Sequence, residues 1–189
     1  MALSDVAIVN DALVMLGADR ISSLTQNHKN ASVMNAVFER VRDACLRRHP
    51  WSFAVERASV AADAAETLWG GLNKFPKPAD FVRLIRDDET GVRPDWKIEG
   101  RFIITAYAAP LEFKYIKRVT NPSEFDPLFA EYFAIALAVR TCKAITGSTS
   151  QAELLVKELR RVTMEARQVN AFEHDPEVGL EDDWIIARR

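Results

Sequence analysis

The segment that most constrains this chain runs from Leu128 to Val139, where alanines stand at 130, 134, 136 and 138 and Glu131 is the lone charge. A helix that is apolar on nearly every side has to be surrounded by other elements. Asp126-Pro127 marks its start, because the missing N–H of proline costs nothing in the first turn, and the helix is expected to continue to about Thr146. The run is shorter than the roughly 20 residues a membrane helix needs. It therefore predicts the central helix of a helical body, with no membrane span.

Three further segments carry a helical period. In the first, Ser4 is a plausible N-cap, Ile8, Ala12 and Met15 recur on one stripe with Val9, Leu13 and Leu16 beside it, and Gly17 stands where a left-handed residue ends a helix. The second runs from about Asn30 to His49 with Met34, Phe38, Val41 and Cys45 on one face. Arg42, Arg47 and Arg48 suit the negative pole of its macrodipole, and Pro50 pushes His49 out of helical geometry. The last opens with Ser150 and Glu153 at capping-box spacing, and Leu155, Leu159, Val162, Ala166 and Val169 form its single apolar stripe, as on an outer helix.

Between the second helix and the central one the period changes. Phe81 to Ile85, Trp96 to Thr105 and Leu111 to Val119 are rich in β-branched and aromatic residues, and Leu111, Phe113 and Tyr115 alternate with Glu112 and Lys114. Glu99-Gly100 suits a hairpin turn. Gly70, Gly71, Pro76 and Pro78 predict a loop before the sheet, and Ala54 to Ala62 reads equally as a strand or a helix tail. The expected fold is α+β, mainly α: a four-helix body (1–50 and 123–172) with a small antiparallel β-sheet inserted at about 54–120, all one domain over 1–172. Beyond it, 173–189 is a C-terminal extension broken from the last helix by Glu173-His174-Asp175-Pro176.

Little in the sequence suggests reaction chemistry. There is no Gly-x-Ser-x-Gly elbow, no phosphate-binding glycine motif, and no His-x-x-x-His or Cys-x-x-Cys spacing for zinc among His28, His49, His174, Cys45 and Cys142. The two cysteines sit in helix interiors and read as small buried hydrophobes in a reducing compartment. Asp87-Asp88-Glu89 and Glu181-Asp182-Asp183 lack the spacing of a calcium loop and read as a solvated turn and a solvated tail. Lys114, Lys117, Arg118 and Arg47-Arg48 could touch phosphates, but capping and solubility explain them equally well. A net charge of −2, from 25 Lys plus Arg against 27 Asp plus Glu, opposes tight duplex binding, whose affinity comes from neutralising phosphates. No metal, cofactor or catalytic residue is expected.

His49-Pro50-Trp51-Ser52-Phe53-Ala54, directly after the Arg-rich helix end, resembles a hallmark of the tail tubular protein A family, the head-to-tail adaptors of short-tailed phages. Ile8-Val9-Asn10-Asp11-Ala12-Leu13 through Leu16-Gly17, Pro78-Ala79-Asp80-Phe81-Val82-Arg83-Leu84, Trp96-Lys97-Ile98-Glu99-Gly100-Arg101, Tyr115-Ile116-Lys117-Arg118-Val119-Thr120 and Phe125-Asp126-Pro127-Leu128-Phe129 fit in the same order. Trp184 with the terminal arginines is similar to the family's ending, whereas the Trp69-Gly70-Gly71-Leu72-Asn73-Lys74 loop is more glycine-rich and basic than the family leads one to expect. The resemblance implies a structural protein of the virion connector, made in the host cytoplasm. It implies a dodecameric ring seated under the portal protein, receiving the tail nozzle protein below, and continuing the channel through which genomic DNA passes without sequence-specific binding. It supplies no catalytic residue.

A ring of identical subunits joins one patch of each chain to a different patch of the next, and permanent contacts of that kind bury about 2,000 Å² or more. Trp51, Phe53, Trp69 and Trp184 are the aromatics suited to anchor such contacts. For the family motif of His49, Pro50, Trp51 and Phe53, core packing is the first expectation and an interface the second. Trp184, Ile185 and Ile186, with Arg188 and Arg189, are expected to anchor the C-terminal extension, either on this chain's own core or on a portal or neighbouring subunit. The alternative function is a small nucleic-acid-binding regulator, motivated by the basic helix ends. A third, a small hydrolase, has no residue to name.

Overall fold

The computed structural model describes residues 3–63, 71–85 and 95–173. Its elements run, in chain order, α1 (Asp5–Met15), α2 (Lys29–Arg48), β1 (Val55–Val60), β2 (Asn73–Pro76), β3 (Phe81–Leu84), β4 (Lys97–Glu99), β5 (Phe102–Thr105), β6 (Leu111–Lys117), α3 (Pro127–Ile145) and α4 (Thr149–Glu173). Short 3-10 turns at Ser52–Ala54 and Pro122–Glu124 join the helices to the strands. The fold is α+β and mainly α, with four helices and a β insertion between α2 and α3.

The helix ends follow local chemistry. The Ser4 hydroxyl accepts from Ala7 N at 3.2 Å, and Gly17, at φ +66°, turns the chain out of α1. Asp126 caps α3 by accepting from Leu128 N at 2.8 Å and Phe129 N at 3.3 Å, with Pro127 in the first turn. Pro50 ends α2, as its His49 C-cap is extended (φ −135°, ψ 145°). The start of α4 departs from the expected capping box at Ser150 and Glu153. Gly147 has φ +71°, so the chain re-enters helix sooner and the Ser148 hydroxyl accepts from Gln151 N at 3.2 Å.

α3 is central, as its sequence demands. Phe129, Tyr132, Phe133, Ile135, Leu137 and Cys142 are all buried, and α1, α2 and α4 each pack on it. The alanines are what allow close approach: 134, 136 and 138 lie within the core, where larger side chains would hold the neighbouring helices away. Two residues expected on packed stripes are partly outside: Met15 is 37% and Val169 39% exposed. Each lies at the last turn of its stripe. The loop after α1 is pinned by a side chain from each flanking helix: Asn10 Oδ1 accepts from Ile21 N at 2.8 Å and its Nδ2 donates to Ile21 O at 2.9 Å, and Asn30 Nδ2 donates to Asp19 O at 3.1 Å.

The β insertion is two sheets where a single one was expected. One has the order β1-β6-β3 and the other β2-β5-β4, all neighbours antiparallel. Ala54 to Ala62 resolves as strand β1. The expected loop around Pro76 contains β2, which proline permits because β2 is an edge strand. The hairpin loop is Gly100-Arg101, one residue later than predicted, since Glu99 pairs with Phe102. Gly100 has φ +55° and, among the described residues, no other residue type has positive φ, which fits a turn with glycine at its first central position.

The two sheets enclose a second, smaller core of Phe75, Ile103, Leu111, Phe113 and Tyr115. β6 divides the cores: its alternating Leu111, Phe113 and Tyr115 face this one, while Ile116 belongs to the helical core. Trp51 locks the joint between α2 and the insertion. It is 5% exposed, lies edge-on to Phe129 with ring centres 5.1 Å apart, and donates from Nε1 to Cys45 O at 3.2 Å. That carbonyl is in the last turn of α2, where no helical partner is available to it.

Trp51→Ala should cost about 3–5 kcal/mol of stability. Trp51→Phe, which keeps most of the packing but leaves the Cys45 carbonyl without its donor, should cost about 1–3 kcal/mol. Urea unfolding of the two variants checks both; a neutral alanine variant would contradict the role of this side chain.

Candidate interaction surfaces

The residues with chemical potential are largely engaged within the fold. Asp43 receives Arg42 at 3.0 Å and, through its other oxygen, Arg118 at 2.9 Å. Arg47 donates to Val82 O at 2.6 Å, Lys117 meets Glu56 at 3.1 Å, and Arg48 reaches the Tyr132 hydroxyl at 3.4 Å. These cations tie α2 to α3, β1 to β6, and α2 both to β3 and to the residue after β6. Sequence reasoning left them open as phosphate contacts or caps. It could not see that residues 35 to 84 positions away complete their bonds.

No group of three or more His, Cys, Asp or Glu among the described residues stands close enough to hold a metal ion. No helix among them is long and apolar enough to cross a membrane. Cys45 and Cys142 are unpaired and buried. Burial pushes the Cys45 thiol from its ordinary 9.0 up to about 12, against a smaller opposing pull from Arg48, which suits packing and not nucleophilic attack.

The motif His49-Pro50-Trp51-Ser52-Phe53 is brought together at the end of α2. His49 lies edge-on to Trp51 with ring centres 4.9 Å apart, and half-buried Phe53 packs at 5.0 Å from Phe129 and 5.9 Å from Phe125. Trp51 is therefore a core residue of the fold, while Phe53 keeps an outward side. Trp184, Ile185, Ile186, Arg188 and Arg189 lie outside the described residues, as do Trp69 and the acidic clusters at 87–89 and 181–183.

Two separate apolar surfaces face outward. On the helical body, Leu154 is 64% and Val14 51% exposed beside Met15, and Gln151 Nε2 donates to Met15 O at 3.2 Å, coupling α1 to α4 there. Met15 and Leu154 line an open hollow of about 650 Å³, rimmed by Lys157, Glu158 and Arg161. Arg161 Nη2 bonds Glu158 Oε1 at 2.6 Å, which holds the Glu158 carboxyl below its usual range. On the insertion, Ile98 is 48% and Tyr107 45% exposed, and Asn73 Nδ2 fixes Tyr107 O at 2.8 Å. Sequence patterning missed Leu154 and Val14, because each sits one position away from a predicted stripe and looks like an isolated surface hydrophobe until α1 and α4 are set side by side.

Because the folded Cys45 thiol keeps its proton to higher pH than the unfolded chain, its contribution is complete below 9.0 and is lost as pH rises toward about 12. Tyr115, raised from 10.0 to about 12 by burial and then by its bond to Asp80, acts in the same direction. The urea midpoint should fall progressively above pH 9, and the fall should be shallower in Cys45→Ala; a midpoint independent of alkaline pH would contradict this.

The chain matches no family model and no curated protein.

Proposed function

We propose that the protein is a structural head-to-tail adaptor of the tail tubular protein A kind. It forms a ring between portal and tail nozzle and continues the DNA channel, and it is not an enzyme. The observation that carries this is apolar exposure at two unlike places, Met15 and Leu154 where α4 meets α1, with Val14 also exposed on α1, and Ile98 and Tyr107 on the insertion, on a fold in which Arg47, Lys117 and Arg118 are engaged internally. A ring contact is heterologous and needs unlike patches on one chain. Exposed apolar groups rimmed by charge are what such contacts consume. In this assignment the α1–α4 surface meets the neighbouring subunit, and the insertion presents its face to the nozzle. The ordered series of segments resembling the family, from Ile8 to Phe129, supports it independently.

The nucleic-acid alternative draws less support. Arg47, Arg48, Lys117 and Arg118 of its proposed contacts are held by Val82 O, Tyr132, Glu56 and Asp43, so each would exchange an existing partner for a phosphate. The weakly acidic whole suits a conduit that does not retain its DNA.

Mixed with portal rings, the protein should add a circular density visible by electron microscopy. Val14→Glu combined with Leu154→Glu, both exposed positions, should leave the helical circular-dichroism signal intact and abolish the ring. Removing 174–189 should likewise give a folded subunit that no longer joins portals in a pull-down. Unimpaired rings in the double variant would refute the assigned neighbour contact.

A further inference from the structure

Three depressions run end to end along one side of α4. The first, of about 400 Å³, lies where α2 and α4 each pack on α3 but leave a channel between them; Val41 and Ala44, Ala136 and Val139, and Leu159 supply its walls and floor. The second, of about 210 Å³, shares Arg48 with the first and continues past Tyr132, Thr163 and Ala166. The third, of about 200 Å³, shares Trp51 and Ala166 with the second and ends at Phe53 and Val169. Together they make one seam that leads from Leu159 toward Glu173, the last residue of α4.

The seam is apolar at its floor and cationic at its rim. Arg40, Arg48 and Arg140 line the first depression, and no ion pair to a described carboxylate neutralises any of them. Among the described residues, the one carboxylate lining the seam is Asp126, whose Oδ1 is already engaged as the α3 cap. An occupant should therefore combine large apolar side chains with carboxylates.

We infer that the seam is the docking site of this chain's own residues 177–186. That stretch carries Glu177, Glu181, Asp182 and Asp183 followed by Trp184, Ile185 and Ile186, the composition the seam calls for. Asp175-Pro176 stops helical continuation directly after α4, because a residue before proline avoids helical geometry. The reach suffices: Leu159 lies about 21 Å back along α4 from Glu173, while the chain from Glu173 to Trp184 extends to about 36 Å. Returning along the seam, the carboxylates meet the guanidinium rim and Trp184, Ile185 and Ile186 cover Val41, Ala44, Ala136 and Val139. A segment seated this way is withheld from any other surface, so its release precedes its use by a partner. The inference stands apart from the adaptor assignment, since the seam and the segment belong to one chain and no portal is needed to observe them.

The test is a proximity measurement in the full chain at low concentration. Ala44→Cys with Ile185→Cys places one thiol in the seam and one in the segment; Ser59→Cys with Ile185→Cys, on an exposed strand position, is the control. The native cysteines are buried in both. The seam pair should form an intrachain disulfide about tenfold or more faster than the control, through its higher effective concentration. Adding Arg40→Glu and Arg140→Glu, both at exposed positions, should remove the difference, and amide exchange across 177–186 should change from protected to fast. Equal rates for the two pairs, a disulfide found only between chains, or a rate indifferent to the charge reversals would each overturn the inference.

Discussion

The structure depends on covering α3. A helix with apolar groups on all sides cannot rest on one surface, and α1, α2 and α4 each shelter a different part of it. Burying a side chain such as Phe133 or Leu137 contributes about 1.5–3 kcal/mol, so the covering helices are held by area and need few specific bonds. Polar groups act at the ends instead: Ser4, Asp126 and Ser148 start helices, and Asn10 closes the loop after α1. What α3 leaves uncovered, the channel between α2 and α4, is a consequence of packing two helices on one while a third occupies another side.

The insertion is attached to this body by a different kind of interaction. Trp51 fills the corner after α2, and Asp43 and Arg47 reach the sheet through Arg118 and the Val82 carbonyl. β6 then serves both cores, with Ile116 on one side and Leu111, Phe113 and Tyr115 on the other. A strand with one face in the small core and Ile116 of its other face in the helical core transmits position from the helical body to the small sandwich. That rigidity suits a part whose proposed task is to present surfaces to neighbours at a fixed angle.

Much of this was legible from residue spacing. The alanine-rich run at 130–138 announced a surrounded helix, Pro50 and Pro127 marked boundaries, and the alternation at 111–115 announced a half-buried strand. The errors have local causes. Pro76 signalled a loop but sits on an edge strand, where a missing donor is harmless. Ser150 had the spacing of a cap, but Gly147 let the helix start earlier. Two sheets looked like one, because strand order depends on pairings between β2 and β5 that leave no periodic mark.

Periodicity and capping by themselves determined four helices, their approximate bounds and the identity of the central one, because both operate within a few residues along the chain. The sequence also carried the resemblance that supports the proposed adaptor role. Only the tertiary structure decided which cations are already engaged, that α4 meets α1 at Met15 beside the exposed Leu154, and that Arg40, Arg48 and Arg140 rim a common seam. Those are contacts between residues distant in the chain, set by how helices pack, and no local spacing encodes them.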